Sequence, residues 1–271
     1  MFIHSSMYQN GISYLVDHLK DNKYLIDYHF YSDHLLYRDR LSLIKRIFDK
    51  SNVILFSGEA QEHSWRYRRP KWIAEAYFTH ISAKNSIYYT LFFEESLAHE
   101  VFLSNTADYE VEKKVGILLS ASNNAKINKF KKNFANVFDE IDLYGAFSKK
   151  VPENNYFSPA EDPLNTRNYF NDARLLSKRY KAAICLDNSY EYGYFQGTPM
   201  LHLNMGTVPI YDGPPYWKNF IKENYVIELS KYNGLTDKKK AEEIEKVSSK
   251  IFDANGDFLT ELSKDYLNFL R

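Results

Sequence analysis

The chain is almost without cysteine: Cys185 is the single one among 271 residues. An internal disulfide is excluded, and a lone thiol has no companion for a metal site, which fits a reducing compartment. Its neighbours Ala183, Ile184 and Leu186 make it a core residue. Net charge is absent as well. The 35 basic residues balance 35 acidic ones, so no global field draws the protein to nucleic acid or to an anionic membrane. No uncharged apolar run approaches the ~20 residues of a membrane span. The start, MFIHSSMYQNG, lacks the basic flank and apolar stretch of a secretory signal. The expectation is a cytoplasmic protein with no transmembrane segment and at most peripheral contact at the membrane surface.

Catalytic signatures are also missing. There is no G-x-G-x-x-G, P-loop, H-E-x-x-H or G-x-S-x-G. No two aspartates stand two apart, so the D-x-D metal clamp of many sugar transferases is not there. His63, His80, His99 and His202 show no ligand spacing and read as structural or solvated. No metal and no cofactor are expected.

Aromatics are plentiful, with 23 Tyr and 19 Phe. Tyrosine suits stacking on sugars and rings, being flat, rigid and polar at the tip; a biased genome composition would give the same count. Arg66, Arg68 and Arg69 alternate with Trp65, Tyr67 and Trp72 in a patch fit to hold phosphates and rings. Its brevity and the balanced charge argue against nucleic acid and for a loop near a cleft.

Periodicity gives an alternation of helices and strands. Ile12, Leu15, Val16 and Leu19 mark one helix, and Leu41, Ile44, Ile47 and Phe48 another. Leu25 to Tyr31, Val53 to Phe56 and Val115 to Leu119 read as strands, and a β-α-β-α order continues through Ile87 to Phe93. Ser122, Asn123 and Asn124 offer caps to a helix with Ile127, Phe130 and Phe134 on its apolar face. Residues 148–167, with three prolines, read as a surface loop. Two helices close the chain. Ile244, Val247, Ile251 and Phe252 form one stripe, and Phe258, Leu259, Leu262, Tyr266 and Leu270 the other, separated by Asn255-Gly256. Lys238 to Lys240 with Glu242, Glu243 and Glu245 form a solvated helical face. A division near residues 103 to 112 gives two lobes, 1–107 and 108–271.

The richest segment is YKAAICLDNSYEYGYFQGTPMLHLNMGTVPIYD, from Tyr180 to Asp212. It predicts a buried strand (Ala182 to Leu186), a polar loop holding Asn188 and Ser189, a short helix closed by Gly206, and a second strand (Val208 to Tyr211). In open α/β sheets, ligands sit at the carboxyl ends of such strands. Thr198 reads as an N-cap and Pro199 as the first helical residue. The amides of Met200 and Leu201 with the Thr198 hydroxyl could then receive a diphosphate. The plain alternative is that Thr-Pro only starts a helix.

These residues resemble the C-terminal signature of the α-1,3/1,4-fucosyltransferase family (glycosyltransferase family 10). Asp187-Asn188-Ser189 stands for its Glu-Asn-Ser/Thr, Gly193-Tyr194 for its Gly-Tyr, and Gly206-Thr207-Val208-Pro209-Ile210 for its Gly-Thr-x-Pro-Ile. Phe220 and Tyr225-Val226-Ile227 are similar to the family's next strand. Upstream, Leu55-Phe56-Ser57-Gly58-Glu59 resembles the strand that ends in the glutamate proposed as general base, and Ser122 to Phe130 a segment leading to a phosphate-contacting arginine. The similarity covers roughly residues 50 to 230. Counted back from Gly206, the family's Glu-Lys donor pair falls on Gly197 and Thr198, and the arginine has only Lys126 and Lys129 as substitutes.

The resemblance implies an α/β protein of GT-B type, two Rossmann-like lobes with mostly parallel sheets and a reduced N-terminal acceptor-side lobe. It implies metal-independent, inverting transfer of fucose or a related sugar from a GDP-sugar to a hydroxyl of a glycan or glycolipid acceptor. Glu59 is the candidate base; Asn188, Ser189, Tyr194, Thr198, Lys126, Lys129 and Arg179 the donor site; Glu62, Trp65 and Arg66 the acceptor side. Without the Glu-Lys pair, two other readings stay open: a binding protein that transfers nothing, or a transferase using another nucleotide sugar.

Overall fold

The structure, a computed structural model, describes residues 2–3, 28–32, 45, 49, 52–57, 76–79, 86–88, 114–120, 128–129, 132, 141–145, 157–159, 180–187, 189–253 and 257–270. The chain divides into two compact units. One comprises Met1–Glu100, Ser189–Gly197 and Lys264–Arg271, the other Val101–Asn188 and Thr198–Ser263.

The first unit holds a parallel sheet whose described strands lie side by side in chain order: β1 (Phe2–Ile3), β2 (Tyr28–Ser32), β3 (Asn52–Ser57), β4 (Ala76–Thr79) and β5 (Ser86–Tyr88). The strand expected at Leu25 to Tyr31 forms from Tyr28, and the one at Val53 to Phe56 runs a residue longer at each end. The helices expected around Ile12 and Ile44 lie largely outside the described residues, although Lys45 is helical.

The second unit contains β6 (Lys114–Ser120), β7 (Ile141–Gly145), β8 (Phe157–Pro159), β9 (Tyr180–Leu186), β10 (Val208–Asp212) and β11 (Ile227–Glu228). They form one sheet in the order β11-β10-β9-β6-β7-β8, every pair parallel. The chain starts in the middle at β6, builds outward to β8, returns to the other side of β6 as β9, and builds outward again. This is the doubly wound order of a dinucleotide-binding sheet, with its reversal between β6 and β9.

β9 is the sheet's centre because Ala182, Ala183, Ile184, Cys185 and Leu186 are all buried, as a parallel strand covered on both faces requires. Pro209 is accommodated within β10 because β11 pairs only from Ile210 onward. Helix α1 (Thr198–Asn204) packs on β9 and β10. It ends in a Schellman motif: Gly206, at φ 68, donates to Leu203 O at 2.9 Å, and Thr207 N donates to His202 O at 2.9 Å. The Thr207 hydroxyl then donates to Tyr180 O at 2.9 Å, tying β10's entry to the start of β9. Helix α2 (Leu229–Tyr232) is a single turn. Helix α3 (Asp237–Asp253) lays Ile244, Val247 and Ile251 on the sheet, the spacing of one helical face.

Four expectations need correction. Phe157–Pro159 pairs with β7, so the stretch 148–167 is not all loop; a proline is tolerable there because β8 is an edge. Leu262 is exposed, whereas Ser263 is buried and donates to Phe220 O at 2.9 Å. Thr260 explains the shift: its hydroxyl accepts from Ser263 N at 3.2 Å, capping helix α4 (Glu261–Leu270) and leaving Phe258 and Leu259 in an extended lead-in. Lys240 is paired with Asp237 at 3.3 Å and buried along its stem, whereas Lys238 and Lys239 are exposed. Finally, Glu223–Tyr225 is a 3-10 turn, and strand begins only at Ile227. Asn255-Gly256 lies outside the described residues. Among the described residues no helix is long and apolar enough to cross a membrane.

His202, within α1, is fully buried, and that burial lowers its pKa from 6.5 to about 3. Between those values the unfolded chain carries one more proton than the folded one. Stability is therefore fully present above pH 6.5 and lost as pH falls toward 3, at about 1.4 kcal/mol per unit. Replacing His202 with Gln should flatten the dependence of unfolding free energy on pH between 6 and 4.5 by about that slope. Urea titrations across this range test it; an unaltered slope would mean that the imidazole is charged inside the fold.

Candidate functional site

The strand order of the second sheet reverses between β6 and β9, and in open α/β sheets ligands sit outside the carboxyl ends of the strands at such a reversal. The residues there come from three elements. Lys129 belongs to the helix following β6, in which Asn128, Lys129 and Lys132 are helical. Asp187 follows the last residue of β9, and its amide donates to Asp212 O at 3.0 Å, extending the ladder one step beyond the strand. Asp212 ends β10, in register with Leu186.

Lys129 spans from the β6 side to the ends of β9 and β10. Its ammonium donates to Asp187 O at 3.0 Å and lies 3.8 Å from the Asp212 carboxylate. Its side chain is 17% exposed, so the charge sits partly out of water, where Coulomb forces are stronger than at the open surface.

The Asp187 side chain is buried and accepts from the Tyr211 hydroxyl at 2.5 Å. Tyr211, opposite Cys185 in the register, packs edge-to-face with Trp217, ring centroids 6.1 Å apart. Gly213 leaves no room for a side chain: a Cβ would collide with the Tyr211 hydroxyl and fall 2.9 Å from Asp187 Cβ. A buried carboxylate is thus aimed by a tyrosine and closed over by a glycine, with a lysine at its backbone.

Of the residues expected to form the site, Lys129 and Thr198 lie in this unit. Thr198 is the first residue of α1 rather than a flanking cap, and eight residues separate it from Ser189. At seven residues the helix has a weaker macrodipole than the half charge of a long one. Ser189 and Tyr194 belong to the first unit's segment Ser189–Gly197. The Ser189 hydroxyl accepts from Glu191 N at 3.1 Å, Tyr194 N donates to Glu191 O at 3.1 Å, and Tyr194 is fully buried. Glu59, Glu62, Trp65, Arg66, Lys126, Arg179 and Asn188 lie outside the described residues, as do His63, His80 and His99. Among the described residues no group of three or more His, Cys, Asp or Glu could hold a metal ion.

Tyr211 and Asp212 entered the sequence reading only as the end of a strand, Gly213 not at all, and Asp187 only as part of the Asp-Asn-Ser match. The available signal was Tyr-Asp-Gly-Pro directly after a buried strand, a turn signature at a strand's carboxyl end.

No family model matches the chain, and no curated protein matches it. Solved structures do. An α1,3-fucosyltransferase is similar at a TM-score of 0.56 and 14% identity, covering 100% of this chain and 81% of that one. An α1,3-fucosyltransferase with GDP-fucose is similar at 0.53 and 13%, covering 99% and 80%. The DNA-modifying enzyme β-glucosyltransferase, determined with and without its substrate uridine diphosphoglucose, is similar at 0.50 and 11%, covering 100% and 99%. The chain therefore has the GT-B fold of glycosyltransferases, with Rossmann-like α/β units.

Replacing Gly213 with Ala should force Tyr211 off Asp187 and destabilise the protein by about 1–3 kcal/mol, the usual penalty of overpacking. Denaturant unfolding measures it, and a Gly213→Ala protein as stable as the parent would show that the turn has room.

Proposed function

We propose that the protein is a glycosyltransferase that moves fucose or a related sugar from a GDP-sugar to a hydroxyl of a glycan or glycolipid acceptor. The reading is of an inverting, metal-independent transfer. The observation that carries it is Lys129, set across the strand-order reversal of a doubly wound sheet in a chain of GT-B fold. Donors of this kind ionise at the sugar C1–O bond, and negative charge grows on the leaving diphosphate. A cation at the strand ends stabilises that charge more in the transition state than in the ground state. In this reading Lys129 is the principal cation, with Lys126, Arg179 and the first turn of α1 from Thr198 assisting. Glu59 removes the acceptor proton from the opposite face of the sugar. Asn188, Ser189 and Tyr194 contact base, ribose or sugar, and Glu62, Trp65 and Arg66 the acceptor.

The similar structures include proteins solved with GDP-fucose, with GDP and with uridine diphosphoglucose, so fold alone leaves the nucleotide base open. A second reading, nucleotide or glycan binding without transfer, draws on the pairing of Lys129 with Asp212 and on Gly197 and Thr198 standing where a Glu-Lys pair would act.

Titration with GDP, UDP, ADP and CMP while following the melting temperature separates these readings. Selective stabilisation by GDP is expected, through binding to the native state only. Preference for another nucleotide would keep the transferase and discard the fucose, and no shift with any would remove the donor site. Lys129→Gln should weaken nucleoside diphosphate binding about tenfold, the size of a charge-assisted phosphate contact. Glu59→Gln should abolish transfer and leave donor affinity intact; unchanged transfer would exclude Glu59 as the base.

A further inference from the structure

We infer that Asp212 sets the affinity of the site for the donor diphosphate by competing for the Lys129 ammonium. The inference rests on the donor-site reading above and adds to it a residue with no part in the expected donor site. Two of the contacts of Lys129 differ in quality. The bond to Asp187 O is 3.0 Å long and comes from backbone locked to Asp212 O by the Asp187 amide, so it fixes where the ammonium sits. The ion pair to Asp212 is loose, at 3.8 Å, with both side chains partly exposed.

A phosphate oxygen can replace the loose partner while the firm one keeps the ammonium in place. Asp212 carries one negative charge, and its side chain, 16% exposed, reaches solvent. A diphosphate brings at least two charges and several acceptor oxygens, so the exchange favours it. Of the two aspartates beside Lys129, Asp187 is buried and held by Tyr211, which leaves Asp212 as the one whose carboxylate an incoming anion displaces. Asp212 thus acts through Lys129, as a positioning residue.

The test measures GDP and inorganic pyrophosphate binding to the full chain by calorimetry, for the parent, Asp212→Asn, Asp212→Glu and Lys129→Gln proteins. Asp212→Asn should bind about two- to fivefold more tightly, the range of a partly exposed ion pair. Asp212→Glu, which keeps the charge, should stay near the parent. In the Lys129→Gln background the gain from Asp212→Asn should shrink, because the ammonium that it releases is gone. Weaker binding by both Asp212 variants would show a merely structural role and overturn the inference. An equal gain in both backgrounds would overturn the route through Lys129. If the parent binds neither ligand, the donor-site reading falls and the inference with it; if the parent binds and Asp212→Asn does not tighten, the inference alone fails.

Discussion

Everything proposed for this protein depends on one topological constraint, the reversal of strand order in the second sheet. All six described strands there are parallel, so each connection must return the chain to the same edge before the next strand begins. Building outward from β6 in one direction and then from β9 in the other reverses the strand order between them. The ligand position expected at such a reversal is a consequence of winding, not of any residue there. What the residues decide is its chemistry. A lysine from the β6 side reaches the backbone of Asp187, and a second strand end brings Asp212 within ion-pair range of the same ammonium.

The electrostatics of this site differ from the pattern of the family that the sequence resembles. There, a Glu-Lys pair serves ribose and diphosphate. Here the first of those positions is Gly197, at φ 79, a left-handed conformation that penalises any side chain. The second is Thr198, the opening residue of a seven-residue helix. The backbone adopted at the loop–helix junction thus accounts for the glycine, and in the proposed reading the positive charge comes instead from Lys129. That charge is already paired with Asp212, so in this reading affinity for a phosphate is a matter of exchange between partners rather than of simple attraction.

The sequence foretold the region around β9 well, for physical reasons specific to it. Ala182 to Leu186 is a continuous apolar run that only a strand buried on both faces would carry, and Gly206 sits where a left-handed cap ends α1. Strands β4, β7 and β8 were not foretold. Phe157-Ser-Pro lies among prolines that mimic a loop, and Ile141-Asp-Leu buries its aspartate beneath the Tyr180 hydroxyl, at 2.5 Å, which local pattern cannot reveal. The candidate site was less legible. Lys129 entered, together with Lys126, only as a substitute for the arginine that the family resemblance implies, and its place at the ends of β9 and β10 comes from the structure. The partnership of Asp187, Tyr211 and Asp212 depends on the register of β9 against β10, a long-range fact with no trace in spacing along the chain.

The central claim is that the donor diphosphate sits at the carboxyl ends of β6 and β9, on Lys129. A crystal structure of the protein grown with GDP addresses it most directly. The account predicts phosphate oxygens within hydrogen-bonding distance of the Lys129 ammonium, with the Asp212 carboxylate turned away from it. GDP bound elsewhere on the chain, with Lys129 still paired to Asp212, would contradict it.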